Sequence, residues 1–232
     1  APDDRPQLIA RIRQGMMLST ASMLPLGVLF IALGGPIVAL VYERGAFAAQ
    51  ASQLVTALLM AYGLGMPAYL GRDVLVRVFY ALGDGTTPFR LSVAGIGLNV
   101  IFDWLLVGGP TPWGPQSPLN FGAPGLVLAT VAINTLTCAA LLLMLQRRLQ
   151  DLPLKDWAFD AAKLTLAAVL AGLLSWLVSM ALPWPGTLLG LFLQVSGSGA
   201  AGLLVFLWIG TLVKSPEVQL ISKAVLQRVR RR

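Results

Sequence analysis

Six stretches of this chain are apolar around the whole circumference of a helix rather than along one stripe: Gly15–Val41, Leu54–Leu82, Phe89–Val107, Gly122–Leu145, Ala158–Leu182 and Thr187–Val213. A bilayer core about 30 Å thick needs roughly 20 residues of helix to cross it, so each stretch predicts one membrane span. A helix with no polar face has nothing to offer water, which separates these stretches from amphipathic surface helices. The alternating segments of a membrane β-barrel do not occur. Breakers fall between or near the ends of the runs. Gly34-Gly35-Pro36 predicts a break or kink near the end of the first, and Gly83-Asp84-Gly85-Thr86-Thr87-Pro88 predicts a tight polar turn with Pro88 opening the next helix. Gly108–Phe121 is an uncharged loop with four prolines, and Pro183-Trp184-Pro185-Gly186 joins the last two runs.

Threading the six runs alternately across a bilayer sorts the charges. Arg5, Arg11, Arg13, Arg90, Arg147, Arg148, Lys155, Lys163, Lys214, Lys223, Arg228 and Arg230–Arg232 gather on one side, and Arg44 alone on the other. The positive-inside rule makes the first side cytoplasmic, with both termini there. A wrong span count would scramble that segregation. Trp104, Trp113, Trp157, Trp184 and Trp208 fall near run ends, where interfacial aromatics gather. The start, Ala1-Pro2-Asp3-Asp4-Arg5-Pro6, is polar and has no initiator Met, so the chain is expected to begin in a cytoplasmic loop of something longer. From Ser215, a cap candidate before Pro216, the residues Val218, Ile221, Val225 and Val229 recur at helical spacing among cations, which predicts a short interfacial helix gripping anionic lipid.

Composition changes the picture by exclusion. Of 232 residues, 56% are apolar and 12% charged, against roughly 45–50% and 25% in soluble domains, so a soluble globular enzyme and a disordered chain are both excluded. There is no histidine, and the one cysteine, Cys138, lies inside an apolar run. This removes imidazole chemistry, His-based metal sites, disulfides and thiolate clusters. A net charge of +7 on such a chain suits an anionic membrane leaflet rather than nucleic acid.

Ionisable groups inside spans cost several kcal/mol unless paired or wetted, so they are the informative residues. The second run carries Arg72, Asp73 and Arg77. Asp73 and Arg77, at i and i+4, can pair, whereas Arg72 lies elsewhere on the helix and needs another partner. Either these groups form an intraprotein salt bridge, or the guanidiniums line a cavity for an anionic headgroup. The third run places Asn99 and Asp103 one turn apart, half a hard-cation site that sodium, a proton or an arginine from elsewhere could complete. Thr130 and Asn134 share the same spacing in the fourth run, and Asn134 is read as an interhelical hydrogen-bonding group. Asp160 with Lys163, and Glu43 with Arg44, are read as solvated interfacial pairs. Gly197-Ser198-Gly199-Ala200-Ala201-Gly202 spells a dinucleotide-binding pattern but lies inside a membrane run, so it is read as small residues for close helix packing.

Glu43-Arg44-Gly45-Ala46-Phe47, Tyr62-Gly63-Leu64-Gly65, Val78-Phe79-Tyr80-Ala81-Leu82-Gly83-Asp84-Gly85-Thr86-Thr87-Pro88, Asn99 and Gly125-Leu126-Val127-Leu128-Ala129-Thr130 together resemble the MurJ/MviN family. Its members flip lipid II, the undecaprenyl-linked peptidoglycan precursor, across the bacterial plasma membrane in cell-wall biosynthesis, and they belong to the multidrug/oligosaccharidyl-lipid/polysaccharide exporter group. The resemblance implies an all-α integral membrane protein whose six helices correspond to spans nine to fourteen of a fourteen-span flippase. It divides the chain into a basic cytoplasmic segment (1–14), four transmembrane helices of the C-terminal lobe (15–145), two additional helices that shape a groove for the lipid tail (146–213) and a basic cytoplasmic tail (214–232). It implies Arg72, Asp73 and Arg77 at the substrate, and a sodium site of Asn99, Asp103, Thr130 and the backbone carbonyl of Leu126. It implies no other cofactor and no enzymatic activity. The partners it implies are lipid II, membrane lipids and an N-terminal half of the same transporter. Three alternatives stand beside it: a non-transporting scaffold or degenerate fragment, an exporter of another polyprenyl-linked glycan, and, weakest, an intramembrane enzyme, which would need clustered acids or a histidine.

Overall fold

The structure is a computed structural model that describes residues 5–42, 49–108, 119–150, 152–185, 187–213 and 215–222. Its described residues include the helices α1 (Arg5–Ala32), α2 (Gly34–Tyr42), α3 (Ala49–Ala81), α4 (Thr86–Val107), α5 (Ala123–Leu149), α6 (Leu154–Ala181) and α7 (Leu188–Leu212), with a further short helical segment at 216–222. Six of the numbered helices are long and apolar enough to cross a membrane; α2 is the short exception. The first apolar run is therefore α1 and α2 together, and α1 already begins at Arg5, inside the leading basic segment. The interruption at Leu33 is a kink rather than a loop. Pro36 has no N–H to offer Ala32, while Leu33 and Ile37 still donate to the carbonyls of Leu29 and Leu33 at 2.8 and 2.9 Å.

Helix α3 lies between α1 and α5, and the Tyr62-Gly63-Leu64-Gly65 motif explains how. Successive odd positions on a helix point to nearly opposite sides. Gly63 meets Gly27 of α1 backbone to backbone, so that a Cβ on either glycine would collide with the other's carbonyl oxygen. Gly65 faces the other way, where a Cβ would run into Val131 of α5. Lipid tails are as apolar as leucine, so spans associate through close dispersion contact, which glycine permits and any side chain forbids.

The turn between α3 and α4 is a polar cap. Gly83 takes φ +74°, a region glycine enters without strain. Asp84 then accepts from the Thr87 N–H at 3.0 Å, the Thr87 hydroxyl at 2.8 Å and the Thr86 hydroxyl at 3.0 Å. Arg148, near the end of α5, donates to Asp84 at 3.1 Å and to the Leu82 carbonyl at 3.3 Å. The Thr87 bonds, with help from Thr86 and Arg148, hold the Asp84 carboxyl below the usual carboxylate range. Pro88 is the third residue of α4 rather than the first, still within the turn where a missing N–H breaks no helical bond.

Helices α6 and α7 pack through the small residues Ala171, Ser175 and Gly202, with Gly202 against the Ser175 hydroxyl, while Gly199 faces Leu33 at the α1–α2 joint. The glycine-rich stretch thus serves helix packing. Trp157 is a correction to the interfacial reading. It is 3% exposed, in a core with Ile12, Met17, Leu75, Phe79, Leu141 and Leu145, because the chain turns back over α1 and α5 at Leu152 and carries the first turn of α6 inward. Glu43, Arg44 and Trp113 lie outside the described residues.

Candidate functional site

Helix α4 is the edge of the bundle. It packs on α5 and barely on α3, and Pro88 and Gly95 are its buried residues. Its inner side carries Ser92, Gly95, Asn99 and Asp103, at spacings of three or four residues that align them along one face. Opposite stand Thr130, Asn134 and Thr137 of α5, spaced the same way. Between the two stripes lies a cavity of about 300 Å³ lined by Ser92, Gly95, Asn99, Asn134 and Thr137, with Arg72 reaching in from α3.

The structure divides the three expected substrate residues. Arg72 faces this cavity and donates to the Ser92 hydroxyl at 3.3 Å; its other contact is Asp73, at 3.9 Å. Asp73 is exposed and lines a different, mostly apolar cavity of about 540 Å³ with Met23, Phe30, Tyr62, Met66 and Tyr69. Asp73 and Arg77 share an exposed face, yet among the described residues they form no ion pair. The i, i+4 spacing permits contact without compelling it. Asp73 instead lies nearest its chain neighbour Arg72.

Asn99 and Asp103 do meet. The Asn99 amide donates to Asp103 Oδ2 at 2.7 Å, whereas Asp103 Oδ1 is buried with no hydrogen-bond partner. Buried polar atoms are nearly always satisfied, so an orphaned carboxylate oxygen in an apolar helix needs an explanation. The Thr130 hydroxyl donates to the Leu126 carbonyl at 3.0 Å, which sets two oxygens side by side one turn apart on α5. Asn134 donates to the carbonyl of Thr130, four residues back in its own helix, at 2.8 Å, so its bond is within the helix rather than between helices. Sequence reasoning missed Ser92 and Thr137. Their registration with Asn99 and Asn134 was the available signal.

A second polar cluster gathers at the end of the bundle where α1 and α6 begin. Arg13 donates to Asp160 at 2.7 Å and to Glu217 at 3.1 Å, and Lys163 donates to Asp160 at 3.1 Å. The Asp160–Lys163 pair is thus one limb of a knot across three segments rather than an isolated solvated pair. Residues 216–222 are helical, as the spacing after Ser215 predicts, but they pack against the protein: Val218 is fully buried and Glu217 is 4% exposed. The cations from Lys223 onward lie outside the described residues.

Comparison with known proteins bears on the family. The family model described as lipid II flippase MurJ matches residues 1–194. A Synechocystis protein named as a probable lipid II flippase MurJ is 42% identical, over 99% of this chain and 42% of its own length. One from Rickettsia prowazekii with the same description is 35% identical, over 41% of this chain and 18% of its own. A solved structure of a lipid II flippase MurJ in an inward closed conformation shares the fold, with a TM-score of 0.66 at 22% identity, covering 91% of this chain and 40% of that one. The chain thus spans less than half the length of these relatives. Six apolar helices, a glycine-packed α3, the capped Asp84 turn and a family model reaching across most of the sequence lead to one conclusion: this chain is a multi-pass membrane protein belonging to the lipid II flippase MurJ family.

Proposed function

We propose that this chain forms the C-terminal portion of a lipid II flippase of the bacterial plasma membrane, corresponding to the last six of fourteen spans, with both termini cytoplasmic. In this reading an N-terminal portion faces the open side of α4, and the two parts alternate access around a shared cavity. Arg72 offers its guanidinium to the pyrophosphate of the substrate, a match of planar donors to anionic oxygens. Asp73 and Arg77 lie on another face and serve the substrate's approach rather than its phosphate.

The observation that carries the proposal is the orphaned Oδ1 of Asp103 beside a polar cavity at an unpacked edge. A carboxylate in a membrane helix is expensive, and this one has an amide on one oxygen only. Asp103, the side-chain oxygen of Asn99, the Thr130 hydroxyl and the Leu126 carbonyl are hard donors carrying a single charge, a set that suits a monovalent cation such as sodium. Such an ion would neutralise Asp103 and draw α4 toward α5. Either that ion or the membrane potential biases the cycle.

The test is transport of fluorescent lipid II in liposomes by the complete transporter containing this chain. Asp103→Ala is expected to slow flipping by roughly tenfold or more, the scale of a coupling free energy of about 1–3 kcal/mol, with the melting temperature unchanged or raised because a buried unpaired charge is gone. Flipping at the unmodified rate would remove Asp103 from the mechanism.

A further inference from the structure

The described helices form two packing groups. No Cα of α6 or α7 comes within 8 Å of α3, α4 or α5, so the backbone of the α6–α7 pair meets the rest through α1 and α2, while the side chains of Trp157 and Ala161 at the start of α6 reach the core shared with α3 and α5. The hold is uneven along its length. Midway, Gly172 of α6 lies directly against Val28 of α1. At one end α7 meets α2 beside a cavity of about 640 Å³, lined by Gly35, Pro36, Ala39, Thr56, Met60 and Leu191, that lies between α7 and α3. At the other end sits the Arg13 knot, and the segment after α7 turns back to join it. The Ser215 N–H donates to the Gly210 carbonyl at 3.0 Å, which makes the turn, and the Ser215 hydroxyl donates to Glu217 at 2.9 Å. Glu217 then presents its other oxygen to Arg13. Val218 fills a notch that exists because residue 210 is glycine: a Cβ there would lie 2.6 Å from Val218 Cγ1. Val218 also joins the buried cluster of Ala21, Leu164, Ala167 and Phe206, with Ile221 packed against it.

We propose that residues 215–222 are a strap that fastens the α6–α7 pair to α1, and that Arg13 is its positioning residue, holding α6 through Asp160 and the strap through Glu217. The planar guanidinium suits this role because its separate N–H groups serve two carboxylates at once. Arg13 and Glu217 are 204 positions apart in the chain, so the strap closes the whole described fold into a ring. The strap makes this end the pivot of the α6–α7 pair and leaves the opposite end, at the larger cavity, as the end that can part.

The proposal concerns where the strap lies, so its test does not depend on transport. In the complete protein, Val218→Cys is labelled with a maleimide and followed by peptide mass spectrometry. The native Cys138, packed against Gly71 between α3 and α5, reports on the first group in the same sample. Position 218 is expected to label about tenfold faster in Arg13→Ala and in Glu217→Ala, the loss of one charge-assisted bond appearing as local opening. Cys138 is expected to label at its original rate, and Arg13→Lys to recover part of the protection. Unchanged labelling at 218 overturns the proposal. Faster labelling at both positions also overturns it, because Arg13 would then support the whole fold rather than the strap.

Discussion

The Arg13 knot and the α4 cavity are both polar clusters in an apolar helical protein, and they are finished to different degrees. In the knot, Glu217 is 4% exposed and both its oxygens are engaged, one by Arg13 and one by Ser215. Asp160 likewise has Arg13 on one oxygen and Lys163 on the other. At the α4 cavity, Arg72 reaches only a hydroxyl at 3.3 Å and a carboxylate at 3.9 Å, and Asp103, one turn beyond the cavity-lining Asn99, keeps a buried oxygen with no partner. A cluster whose groups satisfy one another is explained by the fold, because any change leaves a charge stranded. A cluster with open valences is not, and under the proposed function those valences serve the substrate and a cation. The contrast sorts the embedded ions better than depth in the helix does.

Four substitutions probe that contrast. The largest effect is expected at Arg72. Arg72→Ala should reduce lipid II flipping by the complete transporter roughly tenfold or more, with the melting temperature close to unchanged, since its native bonds are long. A large loss of stability without loss of transport would move Arg72 into the structural class. Next, Glu217→Ala should cost about 1.5–3 kcal/mol of stability, the range for hydrogen bonds to charged groups, read as a lower melting temperature in detergent, with flipping per folded molecule less affected than in Arg72→Ala. The smallest effect belongs to the exposed Arg148–Asp84 pair. Arg148→Ala should cost under about 1 kcal/mol, and the loss should shrink in high salt. Acid separates Asp84 from its neighbours in the same way. Its folded-state carboxyl lies below the ordinary range, so its contribution is full above the unfolded value and is lost as the pH falls through the depressed one. Asp84→Asn should therefore narrow the gap in stability between neutral pH and pH below the ordinary carboxylate range, as a pH series of melts would show.

Most of the architecture was legible in the residue pattern, because a bilayer imposes a length and an all-round apolar surface that few other structures share. The six runs match six helices to within about ten residues at any boundary, and the widest discrepancy has a simple cause. Residues 5–14 carry three arginines and two glutamines, so hydropathy stops at Gly15, while the helix itself continues back to Arg5. The sites were legible one helix at a time. Asn99 and Asp103 are neighbours by spacing alone and meet. What spacing does not encode is the partner on another helix. It left Ser92 unassigned to Arg72, put Trp157 at an interface it does not occupy, and treated Asp160 with Lys163 as solvated when Arg13 stands against it. The tail was read from its apolar period as an interfacial helix gripping anionic lipid; the period holds over 216–222, but Val218 and Ile221 pack into the protein.

The crossing of Gly27 with Gly63 carries one more consequence. With no side chain between the two backbones, neither helix can roll or slide past the other without a clash, and Gly65 commits α3 to α5 in the same manner. The three helices are thereby locked at their crossings, and the places left to bend are where the backbone ladder lacks a rung: Pro25 within α1, Pro67 within α3, and the joint at Leu33 before Pro36, where α1 gives way to α2.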